Sequence, residues 1–371
     1  MHYTLHLTER CNMRCRYCYV KQSPETMTAQ TARAAVDLAV RGNERRLGLI
    51  FFGGEPLLCR GLIEETVAYA ESRVTPDTKF FYKLTTNGLL LDDAFLAFAQ
   101  QHGIYIALSL DGTREAHDRH RTAQDGSPTH GLVCDTARRL LQTHPYAPVL
   151  MTVCPDTVPL YAESVDFVYS LGFRYIVCSL DYAADWDKAA LSQLKRQYTL
   201  LSEFYTEHTL AEDKFYFSPF DVKISSHIHS RTYHQERCEL GRRQLSVSPD
   251  GGLYPCVQFA GDEPYRAGNV FDGIDEAKRQ ALFLRNEAEK PDCGGCAVKQ
   301  PCNRHCACLN KQATGSMDTV SPVLCAHERI VLPIADRLAG KLYKQRSALF
   351  IQKHYNDFYP LVSLAEDRRT T

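Results

Sequence analysis

The sequence lacks any hydrophobic run long enough to cross a bilayer. Its longest, such as Leu47 to Phe52, fall far short of the roughly 18 residues a spanning helix needs. It also has almost no net charge: 43 Lys and Arg stand against 44 Asp and Glu, for a formal net charge of −1. That excludes a nucleic-acid partner held by bulk attraction to phosphates. A secretory signal is missing as well. Met1 to Leu7 reads as a strand and charge arrives at Glu9 and Arg10, which leaves no room for successive basic, apolar and small-residue regions. The expected location is therefore cytoplasmic, where structural disulfides are rare. The chain has no internal repeat at periods of about 20 to 50 residues and no low-complexity tract.

What it has in excess is cysteine. Fifteen of 371 residues are Cys, within an otherwise ordinary composition of 44% hydrophobic and 23% charged residues that suits one large domain or two smaller ones. The odd count argues against a disulfide framework, and short clustered spacings point to metal or iron-sulfur ligation. Cys11, Cys15 and Cys18 form one group. Cys238, Cys256, Cys293, Cys296, Cys302, Cys306, Cys308 and Cys325 form another, with Cys59, Cys134, Cys154 and Cys178 scattered between.

The first 180 residues alternate short β-rich runs with amphipathic helical stretches, the pattern of an α/β protein with a parallel sheet. Strands are expected at Tyr3 to Leu7, Leu47 to Phe52, Lys79 to Thr85, Ile104 to Leu110, Val149 to Val153 and Arg174 to Ser179. Thr28 and Asp92 are expected to cap helices. Six such units wrap into a partial (β/α)6 barrel, closed or followed by a long helix over Leu191 to His208. The division read here is a barrel over 1–210, a connector over 211–237, a small Cys-rich domain over 238–330, and a C-terminal helix and tail over 331–371, with Glu366 to Thr371 frayed.

The Cys11-x3-Cys15-x2-Cys18 motif follows the first strand and so lies at the strand's C-terminal end, where βα-barrels carry their chemistry. Three thiolates around a four-iron cubane leave one iron without a protein ligand. A structural zinc site is a poor match, since it wants four protein ligands and no His stands near.

The string Cys11-Asn12-Met13-Arg14-Cys15-Arg16-Tyr17-Cys18 resembles the signature of the radical S-adenosylmethionine (SAM) superfamily, peptide-modifying branch. The resemblance implies an open iron that binds SAM and yields a 5′-deoxyadenosyl radical, with Tyr17 beside the adenine. Gly53-Gly54-Glu55-Pro56 resembles the family's GGEP, which binds the SAM amino group. Thr85-Thr86-Asn87-Gly88 ends the third strand, and Ser109-Leu110-Asp111-Gly112 with His117, Asp118 and Arg121 resembles its SLDG…HDxxR. Thr86, Asn87, Ser109, Asp111 and Arg121 thereby become candidate SAM contacts. Arg121 is the strongest charged candidate because a guanidinium grips a carboxylate with two parallel hydrogen bonds. Arg119 and His120 are expected on solvent.

The rear cysteines resemble the seven-cysteine pattern of the SPASM domain, which implies two auxiliary [4Fe-4S] clusters and three in all. By the family's ligand order Cys293, Cys296, Cys302 and Cys325 hold one, and Cys238, Cys256 and Cys306 hold the other, nearer the barrel. Fuller relatives have an eighth Cys before the first, and Arg231 to Arg237 contains none. Either the nearer cluster keeps an open iron, able to take a substrate thiolate, or Cys308 fills the gap.

The family divides into sulfatase-maturing enzymes and maturases of ribosomally made peptides (RiPPs). The former carry an Asp after the Cys of Tyr-Pro-Cys as a base, whereas this chain reads Tyr254-Pro255-Cys256-Val257. The expected function is thus a peptide maturase that forms a thioether or carbon-carbon cross-link, partnered by a precursor peptide and a flavodoxin- or ferredoxin-type electron donor. Cys11 is too near the start for a leader-binding winged helix, so leader capture falls to a separate recognition protein, the 215–233 connector or the tail. The rivals are formylglycine generation, and a non-enzymatic iron-sulfur carrier or zinc-stabilised binding module. Cys178 and Asp181 are candidate substrate bases at the sixth strand's end, and Tyr82 and Tyr105 are expected in the core.

Overall fold

The structure is a computed structural model that describes residues 1–42, 44–75, 77–229 and 238–370, with side chains through 367. The 231–237 segment, and the 215–233 connector beyond 229, lie outside the described residues.

The barrel half alternates strand and helix. It runs β1 (His2–Thr8), α1 (Ala29–Arg41), β2 (Arg46–Gly53), α2 (Arg60–Ser72), β3 (Lys79–Thr86), α3 (Asp93–His102), β4 (Ile104–Ser109), α4 (Arg114–His120), α5 (His130–Thr143), β5 (Pro148–Val153), α6 (Tyr161–Ser170) and β6 (Tyr175–Leu180). Next come α7 (Lys188–Leu210), β7 (Tyr216–Phe217) and α8 (Ser218–Ile228). The rear half holds β8 (Gln244–Val247), β9 (Leu253–Tyr254), β10 (Gly268–Asn269), β11 (Gly273–Ile274), α9 (Glu276–Glu287), α10 (Ala307–Thr314), α11 (Pro322–Lys344), α12 (Ala348–Tyr355) and α13 (Tyr359–Thr370). No helix is long and apolar enough to cross a membrane among the described residues.

One nine-stranded sheet runs in the order β7-β6-β5-β4-β3-β2-β1-β8-β9. Strands β1 to β7 are parallel and in sequence order, as repeated βα units require, so every C-terminal strand end opens on the same rim. The alternation in β3 shows how the sheet is two-faced. Phe80, Tyr82 and Leu84 are buried in the main core with Ile63, Val67 and Phe95, while Phe81, Lys83 and Thr85 take the other face. Tyr105 lies on that second face and is exposed, unlike Tyr82, so it is not a core residue. The cap readings hold: Thr28 Oγ1 accepts from the Thr31 amide at 3.1 Å and Asp92 Oδ1 from the Phe95 amide at 2.7 Å.

Two elements depart from the sequence reading. The stretch read as a connector contributes β7 to the barrel sheet, pairing Tyr175 with Tyr216, and then α8. Glu366 to Thr370 belongs to α13, with Glu366 and Asp367 each bonding Lys214, rather than to a frayed tail. The rear half is tied to the barrel by β8, which pairs in parallel with β1 from His2 with Gln244 to Leu5 with Val247. Helix α11 runs unbroken across residue 330 and packs back through buried Lys223–Glu328 and Tyr198–His327 contacts of 2.5 and 2.7 Å.

Candidate active site

The Cys11–Cys18 loop leaves the C-terminal end of β1 and is zipped to the segment after α4. The Arg14 amide donates to Thr122 O at 2.8 Å and the Arg16 amide to His120 O at 3.0 Å. Gln124 Nε2 donates to Cys11 O, Met13 O and Gln22 Oε1 at 2.7 to 3.0 Å. Gln124 sits outside any motif and carries no sequence signal. All fifteen cysteines are free thiols. Cys11 is pushed up to about 11 chiefly by burial, with Cys15 and Cys18 close enough to add to it. Three neighbouring free thiols on one loop fit a cluster that leaves one iron open.

A buried polar assembly fixes the loop. Tyr17 Oη donates to Asp111 Oδ2 at 2.5 Å, Arg121 Nε donates to the same oxygen at 2.9 Å, and the Thr152 amide donates to Asp111 Oδ1 at 2.9 Å. The guanidinium lies 5.3 Å from the Tyr17 ring centroid and reaches Cys15 Sγ at 3.9 Å. Thus Tyr17, Asp111, Arg121 and Cys15 form one unit across the C-terminal ends of β1, β4 and β5. His117 and Asp118 of the HDxxR string shape its wall. His117 bonds the Asp111 amide and Thr129, and Asp118 Oδ1 accepts the Thr129 and His130 amides at 2.9 Å each.

The GGEP turn meets the other side. A Cβ on Gly53 (φ +128°) would collide with the Thr8 carbonyl and one on Gly54 with the Arg10 carbonyl, so backbone approach here demands glycine. Pro56 opens the short helical turn that follows. Glu55 is fully buried and accepts from the Leu57 amide, Thr86 Oγ1 and the Asn87 amide at 3.0, 2.8 and 2.8 Å, tying β2's end to β3's. Burial still pushes its carboxyl up to about 7. Asn87 Nδ2 continues to Asn12 Oδ1 at 2.7 Å and Cys11 Sγ at 3.7 Å. Ser109 is half-buried at the end of β4.

The rear thiols fall into two groups. Cys308 lies 3.5 Å from Cys306 and hydrogen-bonds both Cys306 and Cys256, which lowers those two thiols, and Cys238 faces Cys256 and Cys306. A Cys-x-Cys pair converges because Cys306 caps α10 in extended conformation while Cys308 occupies its first turn, where hydrogen bonds to Cys256 and Cys306 together with burial hold the Cys308 thiol well above its ordinary value. The second group joins Cys293 with Cys296, Cys325 and Cys302. Tyr19 follows Cys18 and is 38% exposed, with its hydroxyl held well above the ordinary value first by burial of that end and then by the Cys256, Cys18 and Cys308 thiols.

Two sequence expectations change. His120 is buried, with Nε2 2.8 Å from Asp156 Oδ1, whereas Arg119 is exposed as expected. The Cys178 thiol turns from the barrel mouth to Met151 Sδ at 3.7 Å, because its place in β6 is on the helix-covered face. Asp181 does reach the mouth, where its carboxyl accepts the Ala183 amide at 3.1 Å.

Residues 5–153 match the model of the Radical SAM superfamily. The chain is 26% identical over 322 residues, 80% of this chain and 76% of the other, to the serine-type anaerobic sulfatase-maturating enzyme of Klebsiella aerogenes. Among solved structures, native anSMEcpe with bound AdoMet superposes with a TM-score of 0.81 at 19% identity, covering 93% of this chain and 100% of that one. Streptococcus suis SuiB bound to precursor peptide SuiA gives 0.60 at 14% identity, covering 87% and 75%. These likenesses show the fold, a parallel α/β sheet followed by a Cys-rich region.

Proposed function

We propose that the chain is a radical SAM enzyme, similar to sulfatase maturases and RiPP modifiers, that cross-links a ribosomally made precursor peptide through a thioether or carbon-carbon bond. The family implies SAM and a [4Fe-4S] cluster, and Cys11, Cys15 and Cys18 are the residues to hold that cluster. When bound, the pair supplies a 5′-deoxyadenosyl radical able to take a hydrogen atom from a peptide carbon. The chain's own residues position and seal. Arg121, anchored on Asp111 and stacked on Tyr17, offers its remaining guanidinium edge to the SAM carboxylate. Gly53, Gly54 and Pro56 shape a close-fitting edge, Glu55 draws the amino group, and Thr86, Asn87 and Ser109 line the strand ends.

The single observation that carries the reading is the pairing of a front thiol loop held by the Tyr17–Asp111–Arg121–Cys15 assembly with a rear group in which Cys306 and Cys308 lie 3.5 Å apart. Tyr19, directly after Cys18, feels the charge of Cys18, Cys256 and Cys308, which supports a second thiol site near the mouth. Cys238, Cys256, Cys306 and Cys308 are proposed to hold one auxiliary cluster as a four-thiolate set, and Cys293, Cys296, Cys302 and Cys325 the other. Held there, the auxiliary clusters would supply an acceptor for the electron that cross-linking releases, and a flavodoxin- or ferredoxin-type donor is proposed to supply the electron for SAM cleavage. A separate protein is proposed to capture the leader.

Formylglycine formation remains the second reading, favoured by likeness to a sulfatase-maturating enzyme along 80% of the chain. Val257, which cannot accept a proton, stands against it. The test is anaerobically reconstituted enzyme with SAM and dithionite, given either a small Cys-rich precursor or a sulfatase-derived Cys-x-Pro-x-Arg peptide. Loss of two hydrogens from the former with no new aldehyde is expected. Conversion of Cys to an aldehyde in the latter would overturn the cross-linking assignment.

A further inference from the structure

Beside Tyr17, on the same rim, three side chains of different chemistry face one another: His120 at the end of α4, Cys154 directly after β5, and Asp156 two residues on. Their donor atoms all lie within 4.8 Å of one another. His120 and Cys154 are 8% and 2% exposed. His120 Nε2 is paired with Asp156, but His120 Nδ1 is buried and without a hydrogen-bond partner. A metal shared by His120 and Asp156 takes the place of their hydrogen bond, so the ring donor of this group is Nε2. Asp181 faces both Cys154 and His120, adding negative charge, while Arg119 approaches Asp156 at 4.0 Å from its exposed side. The Asp156 side chain is half-exposed, so the group opens to solvent at the barrel mouth.

We propose that His120, Cys154 and Asp156 form a divalent transition-metal site of zinc type, separate from the three thiol groups and open at its fourth position. One sulfur, one imidazole nitrogen and one carboxylate oxygen suit zinc, whereas a thiolate is a poor ligand for magnesium or calcium. Three protein ligands with a vacant fourth place are the arrangement of reactive zinc sites rather than structural ones. Binding releases the Cys154 proton to solvent, and water holds the fourth position until a substrate donor replaces it. Tyr17, within the Cys loop, faces this group, its ring centroid 5.8 Å from that of His120. A substrate thiol or carboxylate held here would be presented to the radical site without any redox change at the metal. The site does not depend on the cross-linking reading.

The test uses holoenzyme whose iron sites are filled, equilibrated with Zn²⁺ and desalted. About one zinc per chain is expected, with one Zn–S contact near ~2.3 Å and the remaining ligands nitrogen or oxygen in the zinc X-ray absorption spectrum. Cys154→Ala removes the sulfur contact and Asp156→Asn weakens retention at least about tenfold, both with iron content and circular dichroism unchanged. If either variant fails to fold, the wild-type spectrum still decides. No retained zinc, zinc bound by three or four sulfurs, or zinc kept unchanged by Cys154→Ala would each overturn the site.

Discussion

The two cysteine-bearing regions are built on opposite principles. The front loop sits on a sheet with a large core behind it, and its thiols are placed by a satisfied polar assembly of Tyr17, Asp111, Arg121, Asn87 and Gln124. The rear groups hang on two-residue strands, short turns and a small apolar cluster that includes Leu240, Tyr254, Phe259, Tyr265 and Met317. Where a core fixes the ligands, metal arrives at a ready site. Where ligands must fix the chain, the metal contributes the folding energy itself.

The largest effect should therefore come from stripping iron anaerobically. Amide hydrogen exchange is expected to accelerate across residues 238–330 while β1 to β6 keep their protection. Equal loss in both regions would break the contrast. Next, Asp111→Asn leaves Arg121 buried without its countercharge, at a cost of about 3–5 kcal/mol in denaturant unfolding of the barrel. A midpoint unchanged from wild type would mean that the assembly does not hold the loop. Smaller again, Cys308→Ala should lower iron content through the near rear group alone, leaving the second rear group and the front site filled. Cys178→Ala, on the helix-covered face, should leave iron content unchanged. If Cys308→Ala retains full iron, three thiols suffice at the near group.

The smallest effect concerns Glu55. Its buried carboxyl titrates near 7 against about 4.3 in an unfolded chain. A raised acid contributes stability that is full below about 4.3 and is lost as pH rises through about 7. SAM-free enzyme should therefore lose stability between pH 5 and 7, and Glu55→Gln should flatten that slope in urea midpoints taken at both values.

Much of this was legible in the sequence, for reasons that differ by region. The strand and helix spacing to residue 180 reports burial directly, and Thr28 and Asp92 signal their caps because capping is local chemistry. The cysteine spacings mark the thiol groups since ligands must cluster. What stayed hidden depends on long-range packing. Gln124 reaches across 113 residues to Cys11 O, and His120 turns inward because Asp156 meets it from the next βα unit. Tyr105 reads like Tyr82 until sheet register puts them on opposite faces. The Cys306–Cys308 pair looks too close in sequence to share a site, and only the extended cap of α10 makes the two converge.

The account rests on the front thiols presenting an open iron to SAM. Reconstituted enzyme should release 5′-deoxyadenosine when reduced in the presence of SAM, and Cys15→Ala should abolish that release while the rear groups keep their iron. Undiminished nucleoside from Cys15→Ala would contradict it.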